Sequence, residues 1–298
     1  MKKNKCIIHI GAHKTGTTFL QRNLYLNRSI IKNNSNFVII KPSEEPSYLK
    51  ARKFFRKEIF NPSPNYELYI ESFNKLFSKY ENKDLIISDE AFLGHSALHR
   101  SKSLYPQFND VINSIKNIFK NYEIKIILTT RKIPSFIVSC YYQSIKEGYG
   151  IEFNDFFQSL DLYHFSWKKI LEKSSLKINI LPYEIILKDQ KNFFFEFAKL
   201  LELDSNTISK ININEKPTNR SMSYYDALFL IKSKKFFEES LGSKKTYNLF
   251  CKFIHQTNQN NKKEEKISLI NSSSLTILDN LYSDEYAEIL KPFNEFIQ

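Results

Sequence analysis

The chain has 298 residues, enough to bury a sizeable core as one large domain or as a core with an appended subdomain. Its 26 Phe and 17 Tyr exclude disorder over most of the length, and its three scattered cysteines (Cys6, Cys140 and Cys251) exclude a disulfide scaffold or a cysteine zinc site. A formal net charge of +12 favours anionic partners, but Lys, Asn and Ile are all abundant and compositional bias accounts for it equally well.

The basic start MKKNK followed by CIIHI has the outline of a signal peptide. Its apolar run is only five residues, holds a histidine, and ends in Gly11-Ala12-His13-Lys14, so it lacks the apolar segment that signal needs. No run reaches transmembrane length. The expected location is therefore cytoplasmic and soluble.

CIIHI (6–10) reads instead as a short buried parallel strand, followed by a loop at 11–16 and a helix from Thr17. FVIIK (37–41) is a second strand. A polar stretch with Pro42, Pro46, Pro62 and Pro64 follows, expected as loop with one short basic helix near 48–59. YELYIESFNKLFSKY (66–80) has helical spacing, and DLIIS (84–88) is a third strand ending at Asp89-Glu90. FNDVINSIKNIF (108–119) is helical, IKIILTT (124–130) is a fourth strand, and FIVSCYYQSIKEG (136–148) is a helix closed by Gly148. LKINILP (176–182) is a fifth strand and KNFFFEFAKLLEL (191–203) a further helix. Short strands alternating with helices predict a doubly wound, mainly parallel five-stranded α/β sheet. The α/β core is drawn at 1–205. A helical extension is drawn at 206–298, joined through NINEKPTNRS (212–221), which could fold back over the sheet.

Two stretches carry chemistry. In GAHKTGTT, Gly11 and Gly16 have the spacing of a Walker A loop, G-x-x-x-x-G-K-[ST]. Thr17 stands where the Walker lysine belongs, and Lys14 sits inside the loop. A glycine-containing loop between a strand and a helix turns backbone N–H groups and the positive helix end toward an anion. Thr17 and Thr18 add hydroxyls there. In RKIPSFIVS, Arg131 follows the fourth strand and Ser139 lies eight residues on, with Pro134 in the first helical turn, where its missing N–H costs nothing. A forked Arg donor and a Ser hydroxyl in that arrangement can converge on one phosphate.

Together, in this order, the two stretches resemble the sulfotransferases that use 3′-phosphoadenosine-5′-phosphosulfate (PAPS), in detail the bacterial carbohydrate type, over the framework to about residue 200. The resemblance implies a P-loop-like first βα turn. It implies that His13, Lys14, Thr15, Gly16, Thr17 and Thr18 hold the 5′-phosphosulfate, with Lys14 catalytic, and that Arg131 and Ser139 bind the 3′-phosphate. LPYE (181–184) resembles the family's fifth-strand segment, which places Tyr183 near the adenine. The late glycine-rich basic loop of the cytosolic branch is missing, and Arg220 and Ser221 in KPTNRS are the nearest substitutes. No metal is expected. The acceptor is a hydroxyl or amine, implied to be on a carbohydrate or glycan precursor. A lipid-linked acceptor would bring peripheral membrane contact.

The acceptor needs a general base at the carboxyl ends of the strands. Glu90 is the first choice, then Glu44 or Glu45, then His13. One rival reading takes LIISDE as a Walker B strand, with Asp89 and Thr18 serving Mg²⁺ in a P-loop kinase or nucleotide hydrolase. It leaves the missing lysine, Arg131 and Ser139 unexplained. Nucleic acid is not an expected partner, because the lysines are scattered and no recognition motif stands out.

Overall fold

The computed structural model describes residues 3–60, 66–94, 98–216, 222–241, 244–257 and 272–297. Five strands form one all-parallel sheet: β1 Lys5–His9, β2 Phe37–Ile40, β3 Asp84–Ser88, β4 Glu123–Thr130 and β5 Ile178–Pro182. Their spatial order is β2-β3-β1-β4-β5. Each contains a run of apolar, mostly β-branched residues, as strands covered on both faces require. In β1, Cys6 and Ile8 enter one core while Ile7 enters the other.

One face is covered by α1 (Thr17–Leu26), α2 (Arg28–Asn34), α11 (Gln190–Leu200), α12 (Ser205–Ser209) and α16 (Asn294–Ile297). The opposite, larger core draws on α3 (Pro46–Ile59), α4 (Tyr66–Phe77), α5 (Leu98–Ser101), α6 (Phe108–Ile118), α7 (Ile133–Lys146), α8 (Phe153–Gln158) and α9 (Trp167–Glu172). The late helices α13 (Tyr224–Leu241), α14 (Lys244–Thr257) and α15 (Ser272–Leu290) join this second core through Leu230, Tyr247, Cys251 and Leu278. The single turn and a half of α10 (Glu184–Lys188) continues from β5. Helices on both faces of a parallel sheet are consistent with the doubly wound α/β architecture expected from the alternating pattern.

The expected elements shift at a few boundaries. The proline-punctuated stretch after β2 folds into a 14-residue helix, α3, because Pro46 occupies its first turn, where no N–H is needed. Pro134 likewise opens α7, and Gly148, at φ 86°, follows that helix's last turn. The helices α8 and α9 fall in a stretch without a clear period. All three cysteines are buried free thiols. Among the described residues no helix is long and apolar enough to cross a membrane.

Two polar devices fix the strands and the late chain. His9, buried at the end of β1, contacts Ser88 Oγ of β3 through Nδ1 (2.8 Å) and Thr129 Oγ1 of β4 through Nε2 (3.0 Å). A neutral imidazole offers one donor and one acceptor, so it can satisfy both neighbours. It ties the three central strands together just before the loop at 11–16. The second device is a ladder on α1. Asn27 Nδ2 donates to the Asn212 carbonyl (2.7 Å) and its Oδ1 accepts from the Asn212 N–H (2.8 Å). Asn23 makes the same paired contact with Asn214, at 3.3 and 2.6 Å. Arg22 Nη2 donates to the carbonyls of Asn214 and Lys216, both at 2.6 Å. Residues 212–216 are thereby laid along α1, running toward its N-terminal end.

Burial lowers the His9 pKa to about 3, against an ordinary value of 6.5. The unfolded chain then takes up a proton below 6.5 that the folded chain refuses, so this stabilisation is full above 6.5 and is lost as pH falls toward 3. Between pH 6.5 and 4, the unfolding free energy should fall more steeply for wild type than for His9→Asn, by roughly 1.4 kcal/mol per pH step. Urea unfolding at several pH values measures both slopes, and equal slopes would show that His9 carries no such linkage.

Candidate functional site

The site lies at the carboxyl end of the sheet, where the connection from β1 leads to one side and that from β4 to the other. Ligands of open α/β sheets bind in the crevice such a divergence leaves. The β1–α1 loop is built from left-handed residues. Gly11 has φ 41°, Lys14 φ 64° and Gly16 φ 81°. A Cβ on Gly11 would fall 2.5 Å from Thr17 Cγ2, so only glycine fits. Left-handed backbone at a lysine costs about 1–2 kcal/mol and needs outside support. Arg131 provides it, donating from Nη1 to the Lys14 carbonyl (2.8 Å). Among the described residues, the N–H groups of Lys14, Gly16 and Thr17 have no hydrogen-bond partner.

Lys14 is half-buried, and its Nζ reaches Gln143 Oε1 of α7 (3.3 Å). Gln143 is turned that way because its Nε2 donates to Glu147 Oε1 (2.8 Å). Burial, reinforced by the Arg131 charge, lowers the Lys14 pKa, and Glu90 and Glu147 oppose the shift. Arg131 is also half-buried. Its Nε donates to Ser135 Oγ (2.9 Å), and its guanidinium lies 4.4 Å from the centre of the Tyr183 ring. Among the described residues, neither Lys14 nor Arg131 forms an ion pair with a carboxylate. Two neighbouring cations and a set of unpartnered N–H groups therefore lie together at this end of the sheet.

The four candidate bases separate clearly. Glu90 opens a single helical turn after β3, beside β1, and accepts a hydrogen bond from Thr17 Oγ1. Burial, with Asp89 adding to it, raises the Glu90 pKa against the opposing Thr17 bond and Lys14 charge. Glu44 is exposed and paired with Arg28 and Lys41 (Nζ at 2.6 Å). Glu45 pairs with Lys79 (3.0 Å) and accepts from Tyr80 Oη (3.1 Å). Both follow β2, the edge strand, with β3 between them and β1. The N–H of His13 donates to Tyr105 Oη (2.8 Å), and its ring stacks on that tyrosine. Glu90 meets the start of α1, just past the loop, by accepting from the Thr17 hydroxyl.

The remaining expected residues divide. Thr15 is buried and its hydroxyl donates to the Ala12 carbonyl, so it shapes the loop from within. Thr18 is exposed at the start of α1. Tyr183 lies under Arg131, as stated. Ser139 is half-buried on α7, one turn beyond Ser135, and it is Ser135 that receives the Arg131 bond. Arg220 and Ser221 lie outside the described residues. Asp89, the Walker B candidate, has both carboxylate oxygens on Arg52 Nη1 (3.0 and 3.1 Å), and Oδ1 also caps the Ala91 N–H (3.0 Å). Both of its oxygens are thus bonded to protein groups.

Several contributors were not anticipated from sequence. Gln143 stands on the same helix as Ser139, and only the fold shows that it meets Lys14. Ser135 lies in the first turn of α7 while Arg131 precedes that helix, so helical spacing does not announce their contact. Arg52 and Trp167, whose Nε1 donates to the Arg131 carbonyl (2.8 Å), come from elements distant in sequence. No family model matches the chain, and no curated protein matches it.

A raised carboxyl pKa means that the folded protein disfavours the charged form of Glu90. That cost is full above the folded pKa and vanishes as pH falls below the ordinary value of 4.5. Glu90→Gln should therefore raise the thermal midpoint at pH 7, with a gain that shrinks toward pH 4.5. A midpoint that drops at pH 7 would mean that the carboxylate is stabilised in its place.

Proposed function

We propose that the chain is a PAPS-dependent sulfotransferase with a P-loop-like nucleotide site. The observation that carries this reading is the pair of half-buried cations, Lys14 and Arg131, unpaired with any acid among the described residues and set beside the unpartnered N–H groups of the β1–α1 loop. Such a constellation suits a ligand with separated anionic groups. The site fits a phosphoadenosine phosphosulfate in its donor set. Backbone N–H groups of residues 14–17 and the Lys14 ammonium would hold the 5′ end. Arg131, with Ser135 and Ser139 along one face of α7, would take the 3′-phosphate, and Tyr183 would lie toward the adenine.

When bound, the donor supplies a sulfuryl group attached through an oxygen of its 5′-phosphate. Glu90 accepts the proton that an acceptor hydroxyl releases as its oxygen bonds to sulfur. Its raised pKa makes it a better proton acceptor than an exposed carboxylate, and at neutral pH the task still requires its ionised form. Lys14 would lie beside the 5′-phosphate and supply the positive charge that a departing phosphate oxygen needs. Thr17 fixes the Glu90 carboxylate relative to the loop. Gln143 keeps the Lys14 ammonium within the crevice. The acceptor class, a carbohydrate or glycan precursor, follows from the resemblance of GAHKTGTT and RKIPSFIVS alone.

The rival Mg-ATP reading is disfavoured by Asp89, whose oxygens are held by Arg52 and the Ala91 N–H. Calorimetry separates the two. Adenosine 3′,5′-bisphosphate should bind in EDTA, and Arg131→Ala should weaken it roughly 10–100-fold, the loss of a charge-assisted hydrogen-bonded contact. Glu90→Gln should leave that affinity intact. Preference for Mg-ATP over the bisphosphate would overturn the proposal.

A further inference from the structure

Arg131 is held by its neighbours in the chain as much as by its own side chain. Each residue from 130 to 132 has a long-range partner. The Thr130 hydroxyl lies 3.3 Å from Tyr286 Oη, the Arg131 carbonyl accepts from Trp167 Nε1, and the Lys132 N–H donates to Glu184 Oε1 (3.0 Å). Glu184 and Tyr286 are joined to one another, Tyr286 Oη donating to Glu184 Oε2 at 2.6 Å. Both are buried, at 8% and 2% exposure, so a missing partner here would not be replaced by bulk water. Glu184 follows Tyr183, the ring beneath the Arg131 guanidinium, and the Tyr183 N–H donates to the Thr130 carbonyl (2.8 Å).

Tyr286 comes from α15, more than 150 residues away in sequence and the last long helix of the chain. That helix packs on α7, α9 and β5, the elements surrounding Arg131. A buried tyrosine and a buried glutamate with no ion-pair partner among the described residues form an expensive arrangement for simple packing. An apolar pair would serve that purpose without any polar group to satisfy. What the arrangement does provide is a fixed course for the backbone on both sides of Arg131.

We infer that Tyr286, acting through Glu184, is a positioning residue that sets Arg131 for the 3′-phosphate of the nucleotide, so that α15 governs selectivity for a 3′-phosphorylated ligand. The inference rests on the proposal that Arg131 takes that phosphate. The two can fail separately.

The test compares adenosine 3′,5′-bisphosphate with adenosine 5′-phosphate by calorimetry on the full chain, in wild type, Tyr286→Phe, Arg131→Ala and the double variant. Wild type should prefer the bisphosphate. Tyr286→Phe keeps the ring and its packing and removes only the hydroxyl. It should cut the preference about tenfold by weakening the bisphosphate while the 5′-phosphate affinity stays within about twofold. In the Arg131→Ala background the same change should cost nothing further, since its effect passes through Arg131. Equal weakening of both ligands, or an additive loss in the double variant, would reduce Tyr286 to a packing role and overturn the inference. A wild type that does not distinguish the two nucleotides would overturn the role of Arg131 itself, and the inference with it.

Discussion

Two positive charges, on Lys14 and Arg131, are held side by side and partly out of water, and much of the surrounding structure serves to keep them there. Like charges at close range raise each other's energy, and burial adds to the cost. The Lys14 pKa is lowered for both reasons. The protein meets this cost with neutral groups. Gln143 faces the ammonium with an amide oxygen, Ser135 and the Lys14 carbonyl accept hydrogen bonds from the guanidinium, and the Tyr183 ring centre lies 4.4 Å from it. A carboxylate in any of these places would stabilise the cations better and would also cancel the field that attracts an anion. Glu90, which accepts from Thr17 just past the loop, is instead pushed toward its neutral form by burial.

The sheet makes this arrangement accessible. The order β2-β3-β1-β4-β5 brings the ends of β3, β1 and β4 together, and these carry Glu90, Lys14 and Arg131 respectively. His9 bridges the same three strands one step before the loop. The left-handed Lys14 is then a local strain supported from β4 through Arg131. Such strain, supported from outside the loop, is typical of binding sites and is not needed for packing.

The strands were legible because each is a run of apolar residues buried on both faces, and the loop was legible because glycines at 11 and 16 sit between a strand and a helix. The choice of base was not. Glu44, Glu45 and Glu90 all follow strands, and nothing local says that β2 lies at the sheet edge while β3 borders β1. That order is a property of the assembled core. The groups that hold residues 130–132 were hidden for the same reason. Trp167, Glu184 and Tyr286 read as ordinary aromatic or helix-start residues until the chain folds. The asparagine ladder was hidden but has a signature. Asn23 and Asn27 are separated by about 6 Å along a helix, and Asn212 and Asn214 by about 6.6 Å in extended chain, so the two spacings match. A helix with Asn at i and i+4, facing Asn at i and i+2 elsewhere, is a pattern that pairing arguments can use.

The central claim is that the loop cation and the strand-end cation receive the two ends of one nucleotide. A crystal structure of the complex with adenosine 3′,5′-bisphosphate tests it most directly. The 5′-phosphate should lie on the N–H groups of residues 14–17 beside Lys14, and the 3′-phosphate on Arg131 at the start of α7. A nucleotide bound elsewhere, or one that leaves Arg131 on Ser135 with no phosphate contact, would contradict it.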